Sequence, residues 1–373
     1  MKRTGWKKGL LIGLCVILLL ILLAVVFVFV YANYLLNRMN RVEPGKESTL
    51  SASQADEIML EDPELETIDP NSSETYIDIS DITFPTQNME ATQQTEPGVT
   101  QPEETVKPTE PQEDVYGDHL VNILLVGQDR KEGQGRQRSD SMILVSFNKS
   151  TNQITLTSFM RDQYVQIPGY KPNKLNAAYA FGGMSLLTRT LELNFGVKLD
   201  GIVEVDFNGF TDVIDLLGGV DINMTQKECA YFNAFTDWNL AAGVNHLSGE
   251  QALSYARLRE IDSDYKRATR QRNVIQAVIT AYRNQPLDKM LGLLDDILPM
   301  VTTNLSNNQI LSYATDLFPM LATAQIETLR IPVDGTFRGG LVKVREGFAA
   351  WLQYDIDFAA NKEILMDIFR PKE

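Results

Sequence analysis

The chain has 373 residues, with 34 Lys+Arg against 49 Asp+Glu and a formal net charge of -15 at pH 7. Its two cysteines (Cys15, Cys229) and two histidines (His119, His246) are all remote from one another in sequence. A disulfide framework is therefore excluded, and a zinc site or a Ser-His-Asp triad has too few of its parts.

Lys2, Arg3, Lys7 and Lys8 stand near the start without an acid, and Leu10 to Ala32 is then apolar with no charge inside. Some twenty such residues span a hydrocarbon core about 30 Å thick. The run is too long for a cleaved signal peptide and no clear small-x-small site ends it. The basic flank keeps that end in the cytoplasm. The expectation is a cytoplasmic segment at 1–9, a transmembrane helix at 10–32, and all that follows outside a single-pass cell-membrane protein. So short a cytoplasmic piece holds no DNA-binding or kinase domain, and no nucleic-acid partner is expected.

From about Glu43 to Asp114 the composition turns to Glu, Asp, Thr, Gln, Ser and Pro. Nineteen acids face only Lys46 and Lys107, a net of -17, so the rest of the chain carries +2. The low isoelectric point belongs to this stretch. It buries too little apolar surface to fold by itself and has an r.m.s. span of roughly 45 Å as a flexible coil; 33–114 is expected to be a disordered extracellular tether. A chain begun near Val115 is expected to fold without it. Only "ETYIDISDITF" (Glu74 to Phe84) alternates enough to pair as a strand.

The remainder, 115–373, suits one large domain. Strand-length apolar runs lie at His119 to Val126, Met142 to Phe147 and Ile154 to Phe159, with a hairpin turn at Asn148 to Asn152. Helical pattern follows at Asn176 to Phe181 and Met184 to Asn194, and again at Phe207 to Leu217. Ile202 to Val205 and Val220 to Ile222 are short strands. Ser248 to Arg257 reads as a helix whose Ser248 and Gln251 form a capping box. Helical pattern returns at Arg267 to Tyr282, Leu287 to Leu298 and Asn308 to Leu321, and a strand at Ile326 to Ile331 and a helix at Asn361 to Phe369 close the chain. Such a mixture predicts an α/β fold, a central mixed sheet covered by helices on its faces.

The densest chemistry is "YARLREIDSDYKRATRQ", Tyr255 to Gln271, where Arg257, Arg259, Arg267, Arg270 and the following Arg272 crowd together. The spacing predicts a helix ending near Arg257, an irregular crossing, and a new helix near Asp264 on which Arg267, Arg270 and Gln271 share a face. Guanidinium groups converging there suit a phosphate or pyrophosphate, whose oxygens they bind in pairs. A solvated, salt-bridged surface explains the same charges.

Asp129 follows the first strand and Asp140 precedes the second. Acids at adjacent strand ends can share a divalent cation, and oxygen ligands without Cys or His point to Mg²⁺ or Mn²⁺; local turn and capping hydrogen bonds explain both equally. Arg161 and Asp162 end the third strand at the same sheet edge, where ligands of α/β sheets usually bind.

The ordered blocks "NILLVGQDR" (Asn122 to Arg130), "RSDSMILVSFN" (Arg138 to Asn148), "RDQYVQIPG" (Arg161 to Gly169), "KLNAAYAFGG" (Lys174 to Gly183), "DLLGGVDI" (Asp215 to Ile222), "LSGEQALSYARLR" (Leu247 to Arg259) and "DYKRATRQ" (Asp264 to Gln271) carry a resemblance. The chain resembles the LytR-CpsA-Psr family of cell-wall ligases over roughly Leu120 to Tyr282. One departure is "SFMRD", where the family usually has S-I-P-R-D, so Phe159 and Met160 replace a residue pair near the site. The motif core is taken as 120–283 and the C-terminal extension as 284–373.

The resemblance implies transfer of a glycopolymer from an undecaprenyl-pyrophosphate carrier to peptidoglycan through a phosphodiester, by an extracellular domain in a Gram-positive-type wall. It implies that Arg161, Lys174, Arg257, Arg259, Arg267, Arg270 and Gln271 bind the pyrophosphate. Mg²⁺ (or Mn²⁺) on Asp129 and Asp140 would then neutralise phosphate oxygens. Asp162 and Asp264 are the candidates for the base toward the acceptor hydroxyl, each open to the alternative of an arginine pair. An apolar tunnel for the carrier's tail would draw on Ala177, Tyr179, Phe181, Phe207, Phe210 and Leu253, which core packing explains equally. Two other readings stand beside transfer: hydrolysis of the pyrophosphate by water, and non-catalytic binding of wall polymer or carrier lipid.

Overall fold

In the computed structural model, the described residues are 31–60, 65–69, 76–84, 115–128, 136–286, 293 and 295–371. In chain order they form β1 (Asn40–Arg41), α1 (Ala52–Leu60), β2 (Glu66–Thr67), β3 (Ile77–Asp78), β4 (Leu120–Gln128), β5 (Ser139–Asn148), β6 (Gln153–Phe159), β7 (Tyr164–Val165), β8 (Asn173–Lys174) and α2 (Leu175–Phe195). Then come β9 (Gly201–Asp206), α3 (Phe207–Leu216), β10 (Val220–Met224), α4 (Gln226–Phe235), β11 (Gly243–Leu247), α5 (Gly249–Arg257) and α6 (Asp264–Arg283). The chain closes with β12 (Thr302–Thr303), α7 (Asn307–Thr323), β13 (Gln325–Ile331), β14 (Arg338–Arg345), β15 (Phe348–Tyr354) and α8 (Phe358–Phe369). Residues 31–36 are also helical. Two units emerge: Pro44–Asp200 with Thr323–Glu373, and Gly201–Ala322 with the chain up to Glu43.

The first unit is built on β4, β5 and β6. Their apolar runs pair antiparallel in register, Ile123 with Val145 and Val145 with Leu156, and β13 joins β6 in parallel. The sheet is therefore mixed, as the pattern predicts. Helices α2 and α8 pack against β5, and the β5–β6 turn is tied to α8 where the Asn148 amide donates to the carbonyls of Ile368 (3.1 Å) and Arg370 (2.9 Å). His119 does similar work, its Nε2 lying 2.9 Å from the Phe369 carbonyl oxygen. A second sheet runs β2-β15-β14-β3, with Tyr164, Val342, Ala350, Leu352 and Tyr354 as its core. Burial in that apolar setting pushes the Tyr164 hydroxyl up to about 12. No motif points to β14 and β15 in the sequence.

Helix α2 is interrupted where the sequence pattern breaks. Gly182 and Gly183 leave helical geometry, and Gly183 has φ +65°, a conformation in which a side chain is strained. The second half begins anew at Met184, and its first amides are capped from an unexpected place. Glu47, in the stretch expected to be disordered, accepts from Met184 N (2.9 Å) and Ser185 N (2.8 Å). A Cβ on Gly183 would sit 1.9 Å from Glu47 Oε1.

The tether expectation is therefore corrected for its described parts. Residues 44–60 lie strapped to this unit: Leu50 N donates to Phe181 O (2.8 Å), Arg136 to Ser48 O (3.0 Å) and Arg138 to Ile58 O (3.2 Å). Ile77–Asp78, within the alternating stretch, pairs in parallel with β14, and β2 pairs antiparallel with β15. The physical reason is that composition measures what a segment buries by itself. This segment instead supplies edge strands, a cap carboxylate and scattered apolar side chains to a core built elsewhere. The acid-rich stretch 85–114 lies outside the described residues.

In the second unit β9, β12 and β1 pair in that order, β12 antiparallel to β9 and parallel to β1. Hairpin β10–β11, with α3, α4, α5 and α6, encloses Ile214, Val220, Ile222, Phe232, Tyr255 and Val274. Across the hairpin His246 Nδ1 lies 2.7 Å from Asp221 Oδ1, and its Nε2 lies 2.7 Å from Gly218 O. These two acceptors favour the protonated ring, and the carboxylate first among them raises the imidazole above its ordinary range. Helix α5 starts as predicted, with a complete capping box of Ser248 and Gln251. Its Gly249 lies hard against α3, a Cβ there meeting Thr211 O at 2.2 Å.

The predicted transmembrane segment falls outside the described residues except for its last two. Among the described residues no helix is long and apolar enough to cross a membrane. The helix expected at Leu287 to Leu298 also lies mostly outside them.

Candidate functional site

The antiparallel pairing of β5 and β6 brings the start of one strand beside the end of the other, so Asp140 and Arg161 meet. Arg161 Nη1 donates to Asp140 Oδ1 at 3.0 Å. Asp162, next in the chain and 5 % exposed, lies 3.5 Å from Arg161 Nε and 3.1 Å from Lys174 Nζ. Lys174 is 3 % exposed and reaches this point because β8 pairs with β7, Tyr164 opposite Lys174. The backbone locks the same corner, with Gln353 N donating to Asp162 O (2.9 Å) and Leu175 N to Gln163 O (2.8 Å). Four of the sequence-predicted residues thus form one cluster of alternating charge at the sheet edge. Asp129, the second predicted metal ligand, lies outside the described residues.

In the other unit the crossing is as the spacing predicts: α5 ends at Arg257, Leu258 is buried, and α6 begins at Asp264. Arg257 is exposed, its guanidinium 4.4 Å over the Phe207 ring, a stacking that orients a cation while leaving its edge toward solvent. Asp264 sits between Arg267 Nη1 at 3.2 Å and Arg259 Nε at 4.0 Å. Both candidate bases are therefore engaged with cations, which fits the arginine-pair alternative for each. Gln271 is half-buried on the same helix.

Arg270 differs from the sequence expectation. It is 2 % exposed, and its fork takes Asp262 in two hydrogen bonds (2.8 and 2.9 Å), Glu228 in a third (3.2 Å), and the Leu258 carbonyl in another. The hydrogen bonds from Arg270 hold the Asp262 carboxyl below its ordinary range. A guanidinium so committed braces the crossing that carries Arg257 and Arg259. Its place on one face with Arg267 is as predicted; the inward turn of that face is not.

Glu228 was missed by sequence reasoning. Its Oε2 accepts from Thr225 N and Oγ1 (both 2.8 Å), capping α4, while Oε1 receives Arg270. The signal was present as T-x-x-E at Thr225 to Glu228; its second task, holding Arg270, leaves no mark in local sequence. The proposed tunnel residues Ala177, Tyr179 and Phe181 are buried on α2, and Phe210 packs on the core of the other unit.

These clusters lie within the span, residues 84–350, matched by the model of the LytR_cpsA_psr family. The chain belongs to this family. It is 36 % identical over 219 residues to the polyisoprenyl-teichoic acid–peptidoglycan teichoic acid transferase TagU of Bacillus mycoides, covering 58 % of this chain and 69 % of that one. TagT of Bacillus subtilis is 33 % identical over 223 residues, covering 58 % and 68 %. Among solved structures, TagT bound to LIIa-WTA aligns with a TM-score of 0.54 at 27 % identity, over 71 % of this chain and 93 % of that one. YwtF (TagT) with bound octaprenyl pyrophosphate lipid aligns at 0.51 and 26 %, over 70 % and 93 %.

Proposed function

We propose that this family member transfers a glycopolymer from an undecaprenyl-pyrophosphate carrier to peptidoglycan, leaving the two joined by a phosphodiester. The observation that carries the reading is the cluster of buried Arg161, Asp162 and Lys174 with half-buried Asp140 at the sheet edge. Burying several charges is costly, and such groups gather where a reaction uses them. The names of the relatives, which act on polyisoprenyl-linked teichoic acid, support the same substrate class.

In this reaction the acceptor hydroxyl oxygen attacks the glycan-bearing phosphorus. The bond from that phosphorus to the bridging oxygen breaks, the polyprenyl phosphate leaves, and the hydroxyl proton passes to a base. Arg161 and Lys174, beside Asp162, serve as cations for the pyrophosphate, and Arg257, Arg259 and Arg267 at the α5–α6 crossing are phosphate-binding cations of the same kind. Asp162 holds Arg161 and Lys174, and Asp264 holds Arg259 and Arg267; either aspartate can accept the proton when the incoming phosphate takes over its cationic partner. Asp140 offers a hard carboxylate of the kind Mg²⁺ takes. Mg²⁺ characteristically binds one or two carboxylates and completes its shell with water and substrate phosphate. When bound, the ion would neutralise phosphate oxygens as charge moves to the leaving group.

The test uses the full chain, a short-chain polyprenyl-pyrophosphate glycan and peptidoglycan. Glycan is expected to become linked to the wall polymer, with activity lost in EDTA and restored by Mg²⁺ or Mn²⁺. Equal carrier cleavage without peptidoglycan would make the protein a hydrolase, and full transfer in EDTA would remove the metal from the reading. Arg259→Ala isolates the cations. That side chain is 42 % exposed, so its removal is expected to leave stability within about 0.5 kcal/mol while weakening carrier binding by roughly 2–3 kcal/mol. Calorimetry giving unchanged binding would return Arg259 to the solvated surface.

A further inference from the structure

We infer that the α4–β11 connection is a rigid apolar prong that seats in the outer face of a lipid bilayer. Between Glu228 and Glu250 the only charged residues are Asp237 and, when protonated, His246. Phe235 and Val244 stand 76 % and 72 % exposed there.

The prong is held in shape from within. Asn233 grips the backbone of Leu240 from both sides, donating to its oxygen (2.7 Å) and accepting from its nitrogen (2.8 Å). Asn245 does the same to Ala241, at 2.7 and 3.1 Å. Thr236 Oγ1 donates to Phe232 O, and Asn239, at φ +54°, donates to Asp237 O. Below, Tyr231, Trp238 and Leu240 pack on the unit's core, and the Trp238 ring lies 5.2 Å from that of Phe232. With Asn233, Thr236 and Asn245 spent on their own loop, the outward side chains beside Phe235 and Val244 are mainly apolar, exposed Asp237 excepted, which suits the bilayer boundary better than a sugar seeking hydrogen bonds.

The choice of bilayer rests on where the chain outside the described residues leads. The uncharged apolar run Leu10 to Ala32 feeds this unit through the helical residues 31–36. There Tyr31 and Tyr34 stack at 6.5 Å with both rings exposed, residues of the type that gathers at a membrane–water boundary. Of the six exposed large apolar side chains among the described residues, five (Tyr31, Tyr34, Leu216, Phe235 and Val244) belong to this unit, Trp351 being the other. Seating at headgroup depth leaves the exposed Asp237 carboxylate and His246 in water, so only apolar side chains are desolvated.

The experiment places an NBD fluorophore on Phe235→Cys, and separately on Val244→Cys, in the full chain with Cys15→Ala; Cys229 is buried and stays unlabelled. The protein is reconstituted in phosphatidylcholine–phosphatidylglycerol vesicles containing no pyrophosphate lipid, with Glu363→Cys as the labelled solvent control. Blue-shifted emission, and severalfold stronger quenching by a shallow nitroxide lipid than at the control, is the expected result at both positions. Emission as water-exposed as the control at both positions overturns the prong. So does shielding that appears only on adding peptidoglycan, or only with rising protein density as self-quenching, which assigns the surface to glycan or to a second copy. With no carrier present, the outcome is independent of whether the protein is a transferase.

Discussion

A chain begun at Val115 is expected to be less stable than one begun at Tyr31 by roughly 3–5 kcal/mol, melting about 10 °C lower at a few degrees per kcal/mol. The earlier start retains Glu47 on the Met184 and Ser185 amides, and capping of that kind contributes about 1 kcal/mol. It also retains Leu65, Ile77, Ile79, Ile82 and Phe84 on the core of the second sheet. The Phe84 ring there lies 5.5 Å from Tyr164 and 6.4 Å from Phe358. Partly buried apolar side chains stabilise by about 1 kcal/mol each, below the 1.5–3 of full burial, and the entropy of ordering the segment offsets part of the total. Arg41, hydrogen-bonded to Leu305 O and Asn307, adds a tie in the other unit. Thermal unfolding of the two chains followed by circular dichroism measures the difference. Melting points within about 2 °C of each other would mean that composition alone had described this segment correctly.

Replacing Arg270 by Ala is expected to destabilise the protein by about 3–5 kcal/mol, the scale of a buried ion pair broken on one side. Glu228 and Asp262 would then lose the guanidinium that joins them, and Leu258 O would lose its donor. Denaturant unfolding measures the loss, and a change under about 1 kcal/mol would place Arg270 outside the framework. The pH dependence gives a second reading. Asp262 has a depressed carboxyl, so its contribution is fully present above the unfolded value of about 3.9. That contribution fades as pH falls through the lower folded value. Asp262→Asn is therefore expected to be less stable than the native chain at neutral pH and to approach it in acid. A difference that did not shrink with acid would mean the aspartate acts by shape, not charge.

What the sequence determined by itself was mostly local. Alternating apolar runs at β4, β5 and β6, the Ser248 capping box, the break at Gly182–Gly183 and the α5–α6 crossing all follow from interactions within a few residues. Periodicity, capping and backbone freedom report such interactions directly. The seven motif blocks carried the family in the same way, because they are runs of consecutive residues. Tertiary structure decided the rest. Which way the α6 face turns depends on Glu228, forty-two residues before Arg270, and no local pattern encodes a partner so distant. That Asp162 lies between Arg161 and Lys174, and Asp140 on Arg161, follows from antiparallel pairing and the small β7–β8 hairpin. The greatest departure is the acidic segment around Glu47 and Ile77. Its own composition cannot form a core, yet its carboxylate, edge strands and few apolar side chains complete one that the rest of the chain supplies. Folding by addition to another core is a property of the pair of surfaces, and it becomes legible only when both are present.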